Sequence, residues 1–479
     1  MTPYAIIALI SAYLALMFNV ARLSRRGSDF FGSRKKTPWP LVAISMIGAV
    51  MSGVTFVSVP GMVGTSAMGY LQTCLGFMAG YVVIAFGLIP LYYRLQVLSI
   101  YQYLDRRFGV TSHRTGAWFF FISKLLGASV RLYLVCLILQ MLVFDPLDLP
   151  FALNVVLCVA VLCAYTFRGG VRAVIWTDVL NAVCMVAAVI LTLVFIAKAL
   201  GLSLPALTDA ISKSEMSRIF FFDDIRHPQF FWKQFFGGLF IVVGMTGMDQ
   251  DMMQRALNCR DFRSSQKNML LSTVLQTAVI ALLLGLGVAL YLYADATGIA
   301  ERGDRLYPAV ATSAGLPATV GLFFVLGLLT SAFGSGGSAL TALTISFTVD
   351  ILDKGGSDRT RKAVHIAMAA AVALTVLLFS ALNSTSAIDA VFKIASYTYG
   401  PILGLFAFGI LCKRRVRDRL VPIIAIAAPA ICLVLQLNSK EWFGGYTFSY
   451  EILPLNALLT MAGLWLLSRN SGGEVCQGG

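Results

Sequence analysis

GAVMSGVTFVSVPG, residues 48–61, interrupts an apolar stretch that would otherwise cross a bilayer as one continuous helix. Glycine and proline at these positions free backbone carbonyls in mid-membrane. Unwound backbone is tolerated there only where it is buried in protein or lines a cavity. Five apolar spans later the pattern returns in IVVGMTGMDQDMM, residues 241–253, again broken at glycine and now followed by two carboxylates. Interrupted helices in corresponding positions of two five-helix halves point to a carrier built from inverted repeats, with its site at the breaks. The five-span offset, not sequence identity between the halves, carries this reading.

The rest of the chain has the composition such a carrier needs. Of 479 residues, 58% are hydrophobic and 13% charged, which excludes disorder and disfavours a soluble globular enzyme. Thirteen transmembrane helices are expected, over roughly 3–21, 40–60, 71–93, 116–144, 150–166, 173–200, 230–254, 268–294, 316–350, 363–382, 388–411, 420–437 and 448–468. No soluble domain is expected around them. The first span, PYAIIALISAYLALMFNV, lacks a basic flank and a small-residue cleavage site, so it reads as a retained helix rather than a signal peptide.

The net charge of +14 would suggest nucleic acid if the charges were spread along the chain. Instead they cluster in short loops: Arg22, Arg25, Arg26, Arg34, Lys35 and Lys36; Arg94, Arg106, Arg107 and Arg114; Arg168 and Arg172; Arg255, Arg260, Arg263 and Lys267; Lys413, Arg414, Arg415, Arg417 and Arg419. With thirteen alternating spans all of these fall on one side. The positive-inside rule then places the N-terminus outside and the C-terminus in the cytoplasm of a bacterial-type inner membrane, with no nucleic-acid partner. Nine cysteines without a CxxC and three scattered histidines give no disulfide framework and no transition-metal spacing.

The chain resembles the sodium:solute symporter family, which includes bacterial proline, sugar and sialic acid carriers. The resemblance covers nearly all of residues 1–440 and is carried by GAVMSGVTFVSVPG (48–61), RGGVRAVIWTDVLN (168–181), TGMDQDMMQR (246–255), SALTALTISFTVDI (338–351) and YTYGPILGLFAFGI (397–410). It implies an all-α, leucine-transporter-type core of ten helices in a five-plus-five inverted repeat. The core would cover 39–411, in halves of about 39–200 and 228–411, with one helix and a basic loop before it (1–38) and two helices and a short tail after it (412–479). Solute would move by alternating access, driven by sodium, with a proton as the possible substitute; no organic cofactor is expected, and a monomer is expected rather than an obligate oligomer.

The same resemblance implies the ion site. A hard cation needs oxygen ligands, which an apolar bilayer does not supply. Family members take two carbonyls, three residues apart, from the first broken helix, and these positions match Gly48 and Met51. The facing helix gives a carbonyl and then two hydroxyls, matching Ser331, Gly334 and Ser335; spacings of three and four put these on one helical face. Gly334, inside FGSGGS (333–338), has no hydroxyl to give. One missing ligand, at about 1–3 kcal/mol, would weaken binding by up to about a hundredfold. Close helix packing is the plain alternative for these small residues. Asp178 and Ser338 match part of a second cation site that some relatives have, and Asp178 is also the natural proton site.

Several polar residues are candidates from position. Lys124 and Arg131 lie seven apart in FISKLLGASVRLYLV and share one face. Lys124 stands at a depth similar to Asp178, so the two are expected to pair. Arg131 lies deeper, where an unpaired guanidinium is costly and where it would make a natural fork for a solute carboxylate; a structural ion pair is the alternative. Ser52, Thr55, Gln72, Thr73, Asp249 and Gln250 are expected around a small polar solute, and Tyr397 and Tyr399, before Gly400-Pro401, as a gate. Asp251 and Arg255, four apart, read as a helix-surface pair. A membrane enzyme is disfavoured, because no HExxH, GxSxG or close histidine–aspartate pair is present. The remaining alternatives are a proton-coupled or uncoupled carrier with a degenerate sodium site, and a substrate sensor that does not transport.

Overall fold

The computed structural model describes residues 3–24, 39–95, 101–167, 171–257, 259, 261–313, 315–352, 358–382 and 386–469. They form an all-helical bundle. In chain order the α-helices are α1 Pro3–Ser24, α2 Trp39–Val50, α3 Gly53–Ser66, α4 Tyr70–Val83, α5 Ile89–Leu95, α6 Gln102–Arg107, α7 Val110–Leu139, α8 Phe151–Thr166, α9 Val171–Ala199 and α10 Leu204–Lys213. They continue as α11 Phe231–Val242, α12 Gln250–Leu257, α13 Phe262–Thr297, α14 Leu306–Thr312, α15 Ala318–Ser346, α16 Asp358–Leu382, α17 Ala387–Leu411, α18 Val421–Leu437, α19 Ser439–Trp442 and α20 Ile452–Leu467.

Eight helices among the described residues are long and apolar enough to cross a membrane, or nine if a bent pair counts as one span. That pair is Val42–Gly48 with Gly53–Ser66, which meet at 61°. Three shorter apolar helices, Tyr4–Ala15, Phe151–Ala164 and Ile452–Leu467, bring the total closer to the sequence-based thirteen. Part of the difference is helix length: α8 and α20 have 16 residues each, and α11 ends after 12 at a loosened turn.

Both interruptions fall where glycine and proline predict them, and side chains satisfy the freed carbonyls. Between α2 and α3, Ser52 is extended (φ −79°, ψ 170°) and Gly53 restarts the helix. The Gly48 and Met51 carbonyls accept from the Asn181 amide, at 2.9 and 3.1 Å. Between α11 and α12 the chain loosens into a wide turn over Val243–Gly247 before the break at Met248. There the Gly247 carbonyl accepts from the Tyr92 hydroxyl and the Met248 carbonyl from the Tyr101 hydroxyl, each at 2.9 Å. A buried carbonyl without a partner would cost about 1–3 kcal/mol, so these three side chains hold the broken helices in place.

Helices α3, α7, α13, α15 and α17 pack around the first break. α4 lies along α11 so closely that a Cβ on Gly76 would stand 2.1 Å from the Phe235 carbonyl oxygen, and one on Gly238 would stand 2.3 Å from that of Thr73. At one end of the bundle two of the basic loops, 94–114 and 412–419, meet. The Arg107 guanidinium donates to the carbonyls of Gly409, Cys412 and Arg414. Asp418 caps α7 from across the chain, accepting from Thr111 N (2.9 Å), Ser112 N (2.7 Å) and the Ser112 hydroxyl (2.5 Å). Replacing Asp418 by alanine is expected to remove about 1–2 kcal/mol of stability. A lowered thermal midpoint of the detergent-purified protein checks this; an unchanged midpoint would mean that the cap contributes nothing.

Candidate functional site

A cavity opens beside the first break and reaches the second. α3 supplies Ser52 and Thr55, α4 supplies Tyr70, Phe77 and Tyr81, and α7 supplies Ser123, Lys124 and Arg131. Thr246 and Asp249 come from the second break, Gln276 from α13, and Tyr399 from α17. Each helix delivers these groups by its period: Lys124 and Arg131 are seven apart, as are Tyr70 and Phe77. The walls are mixed, with aromatic rings on one flank and charges on the other.

The charges are specifically arranged. The Lys124 ammonium lies 2.6 Å from Asp249 Oδ2, with side chains only 8% and 5% exposed. The expected partner of Lys124, Asp178, has a side chain outside the described residues; among those, Asp249 at the second break is the carboxylate that Lys124 reaches. Asp249 also accepts from Met252 N at 3.3 Å, capping the first turn of α12. Arg131, half-buried, makes no ion pair among the described residues, while Tyr399 and Asp249 lie near enough to act on its charge. Two cations against one carboxylate leave the cavity with an excess positive charge.

The residues expected at the main cation site are adjacent in space. Gly48, Met51 and Ser331 are all buried. Ser331 presents its hydroxyl to the Met51 carbonyl at 3.3 Å. Its own carbonyl, which the resemblance assigns to the ion, accepts instead from the Ser335 hydroxyl at 2.7 Å, a bond within α15. Gly334 adds backbone only. The sequence reading missed two neighbours. Asn181 bridges the Gly48 and Met51 carbonyls, and the Thr330 hydroxyl donates to its Oδ1 at 3.0 Å. The signal for Asn181 was present: it closes RGGVRAVIWTDVLN, one helical turn after Asp178.

Other expected residues lie elsewhere. Gln72 and Thr73 are buried at the α4–α11 seam rather than in the cavity. Gln72 Nε2 donates to the Gln229 carbonyl at 3.0 Å, and the Thr73 hydroxyl donates to Gln234 Oε1 at 2.5 Å. The cavity face of α4 is that of Tyr70 and Phe77, about 140–160° round the helix from Gln72. The two tyrosines of α17 separate for the same reason: Tyr399 lines the cavity, whereas Tyr397 turns to Gln436 of α18. Ser338 stands apart from the cavity and accepts from Arg255 Nη2 at 3.0 Å. The side chains of Asp178, Gln250 and Asp251 lie outside the described residues. No cluster of three His, Cys, Asp or Glu suited to a metal occurs among the described residues.

Residues 30–418 match the sequence model of the sodium:solute symporter family. Among curated proteins, the chain is 27% identical over 425 residues to the human sodium/iodide cotransporter, covering 85% of this chain and 64% of that one, so it spans somewhat less than two thirds of that relative. It is 25% identical over 469 residues to the sodium/sialic acid symporter NanT of Aliivibrio fischeri, covering 92% of this chain and 89% of that one. It is 26% identical over 473 residues to the human sodium-coupled monocarboxylate transporter 1, covering 95% and 74% respectively. Among solved structures, the substrate-bound outward-open state of a Na+-coupled sialic acid symporter superposes with a TM-score of 0.79 at 18% identity, covering 97% of this chain and 98% of that one.

Proposed function

The chain belongs to the sodium:solute symporter family, and from that premise we propose that it carries a small carboxylated solute, such as a sialic acid, together with sodium. Sodium-coupled symport is the activity that the family and its relatives support, and the fold is that of Na+-coupled transporters. The solute class rests on one observation: Arg131 faces the cavity without an ion pair among the described residues, beside a Lys124 already neutralised by Asp249. A carboxylate bound at Arg131 would balance the remaining charge and accept two parallel N–H donors. Two of the relatives are in keeping with a carboxylate, being named for sialic acid and monocarboxylates, and the iodide cotransporter with an anion more generally.

In this reading Gly48, Met51, Ser331 and Ser335 hold sodium, with Gly334 adding no side-chain ligand. Asp178 and Ser338 remain candidates for a second cation or a proton. Ser52, Thr55, Asp249 and Tyr399 surround the solute, and Gln250 stays a candidate from its place in the sequence. Thirteen spans follow if the eight long helices, the bent pair and the three short helices are joined by α11 with its loosened turn. The two basic loops joined at Arg107 and Asp418 then face the cytoplasm of an inner membrane, with the N-terminus outside. The ten-helix core would run over 39–411, and the carrier would act as a monomer.

Uptake into proteoliposomes tests the reading. With an inward sodium gradient, a panel containing sialic acid, a monocarboxylate, a neutral hexose and proline should show accumulation of a carboxylate, abolished when potassium replaces sodium. Accumulation of the hexose or proline alone would refute the carboxylate assignment. Carboxylate uptake driven equally by a proton gradient would refute sodium coupling.

A further inference from the structure

The Asn181 side chain sits where a cation bridging the two carbonyls of the first break would have to sit. Its Nδ2 lies 2.9 Å from the Gly48 oxygen and 3.1 Å from the Met51 oxygen. An ion touching both oxygens must occupy the space between them, and a nitrogen already in contact with both excludes it. The orientation of the amide is set by its neighbours. Thr330 can donate its hydroxyl proton to the amide oxygen, and turning the amide over would aim that oxygen at two carbonyl oxygens. The group is fully internal: Asn181 is 1% exposed, Thr330 1% and Ser331 0%.

We propose that Asn181 is a built-in competitor of the coupling ion: its amide NH2 serves as a tethered, uncharged stand-in for sodium, and the ion binds only when the carboxamide is displaced. The inference rests on the placement of the main site at Gly48 and Met51. Its consequence for transport is direct. The two carbonyls of the broken helix are buried, and releasing sodium would otherwise leave both without partners. Asn181 takes them over, tying α2 to α9, while Ser331 ties Met51 to α15. Sodium release therefore becomes an exchange of partners at the hinge rather than a loss of them. Sodium affinity is weakened by the same exchange, which keeps the ion releasable on the cytoplasmic side.

The test is a sodium titration of the thermal midpoint of the purified full-length protein, at constant ionic strength maintained with N-methylglucamine. Asn181→Ala should lower the half-saturating sodium concentration by about tenfold, the equivalent of one net hydrogen bond, and should lower the midpoint at zero sodium. Thr330→Val keeps the asparagine but removes the hydroxyl that orients it. It should move sodium affinity in the same direction by a smaller factor, and it carries the test if Asn181→Ala does not fold. Unchanged or weaker sodium binding in the folded variants overturns the proposal, because Asn181 would then be a bystander or a ligand. Absence of any saturable sodium response in the wild type overturns the placement of the site itself, a different failure.

Discussion

Asp249→Ala is expected to be the most damaging single substitution in the protein, lowering its stability by about 3–5 kcal/mol. The Lys124 ammonium is 2.6 Å from this carboxylate, and both side chains are almost wholly buried. Removing the carboxylate strands a cation in a low-dielectric interior with no described anion in reach. The α12 cap on Met252 N is lost at the same time. Lys124→Met alone should be destabilising in the same way, by stranding the carboxylate. The double variant, Lys124→Met with Asp249→Asn, should recover most of the loss: it removes both charges, and the asparagine can still cap α12. Thermal midpoints of the three purified variants decide the matter. Two single losses that simply add in the double variant would show that the pair is not coupled and that each residue acts through other contacts. Recovery of stability without recovery of uptake would separate the structural part of this pair from its part in the cavity.

How far the sequence could be read is visible residue by residue. The breaks at 48–61 and 241–253 were legible because glycine, proline and carboxylates have no cheap place inside a lipid-facing helix. Lys124 and Arg131 were legible as one face because seven residues complete two turns. What the sequence could not supply was the neighbour of each face. Depth along the membrane made Asp178 a candidate partner for Lys124, but depth is one coordinate of three, and it did not show that helix packing brings Lys124 to Asp249. Gln72 and Thr73 were placed at the solute because they open a helix of the core. The close approach of α4 to α11 at Gly76 and Gly238 gives them partners in that seam, Gln229 for Gln72 and Gln234 for Thr73. Asn181 closes a marked motif, one turn after Asp178, but a linear reading gives it no role there. Its importance comes from ending opposite two carbonyls that another helix has freed.

Arg131 carries the largest expected effect on transport. In Arg131→Gln the guanidinium is replaced by a neutral amide, which still fits a half-buried wall but offers no charged fork. Loss of a charge-assisted hydrogen-bond pair to a carboxylate, about 1.5–3 kcal/mol, predicts a fall of about 10- to 150-fold in uptake efficiency at low solute concentration. Arg131→Lys should recover part of it, since the charge returns but the bidentate geometry does not. Stability should change little or rise, because the wild-type arginine has no ion partner to lose among the described residues. The sodium response of the thermal midpoint should persist, because Gly48, Met51 and Ser331 are untouched. A neutral analogue of the transported carboxylate, its amide or methyl ester, separates recognition from general damage. Its uptake should be poor in the wild type and should not fall further in Arg131→Gln. Equal losses for acid and ester would mean that Arg131 supports the cavity wall and recognises no anion. An undiminished rate for the acid would move the search for the anion's partner to Lys124, whose ammonium would then have to exchange Asp249 for the solute during each cycle.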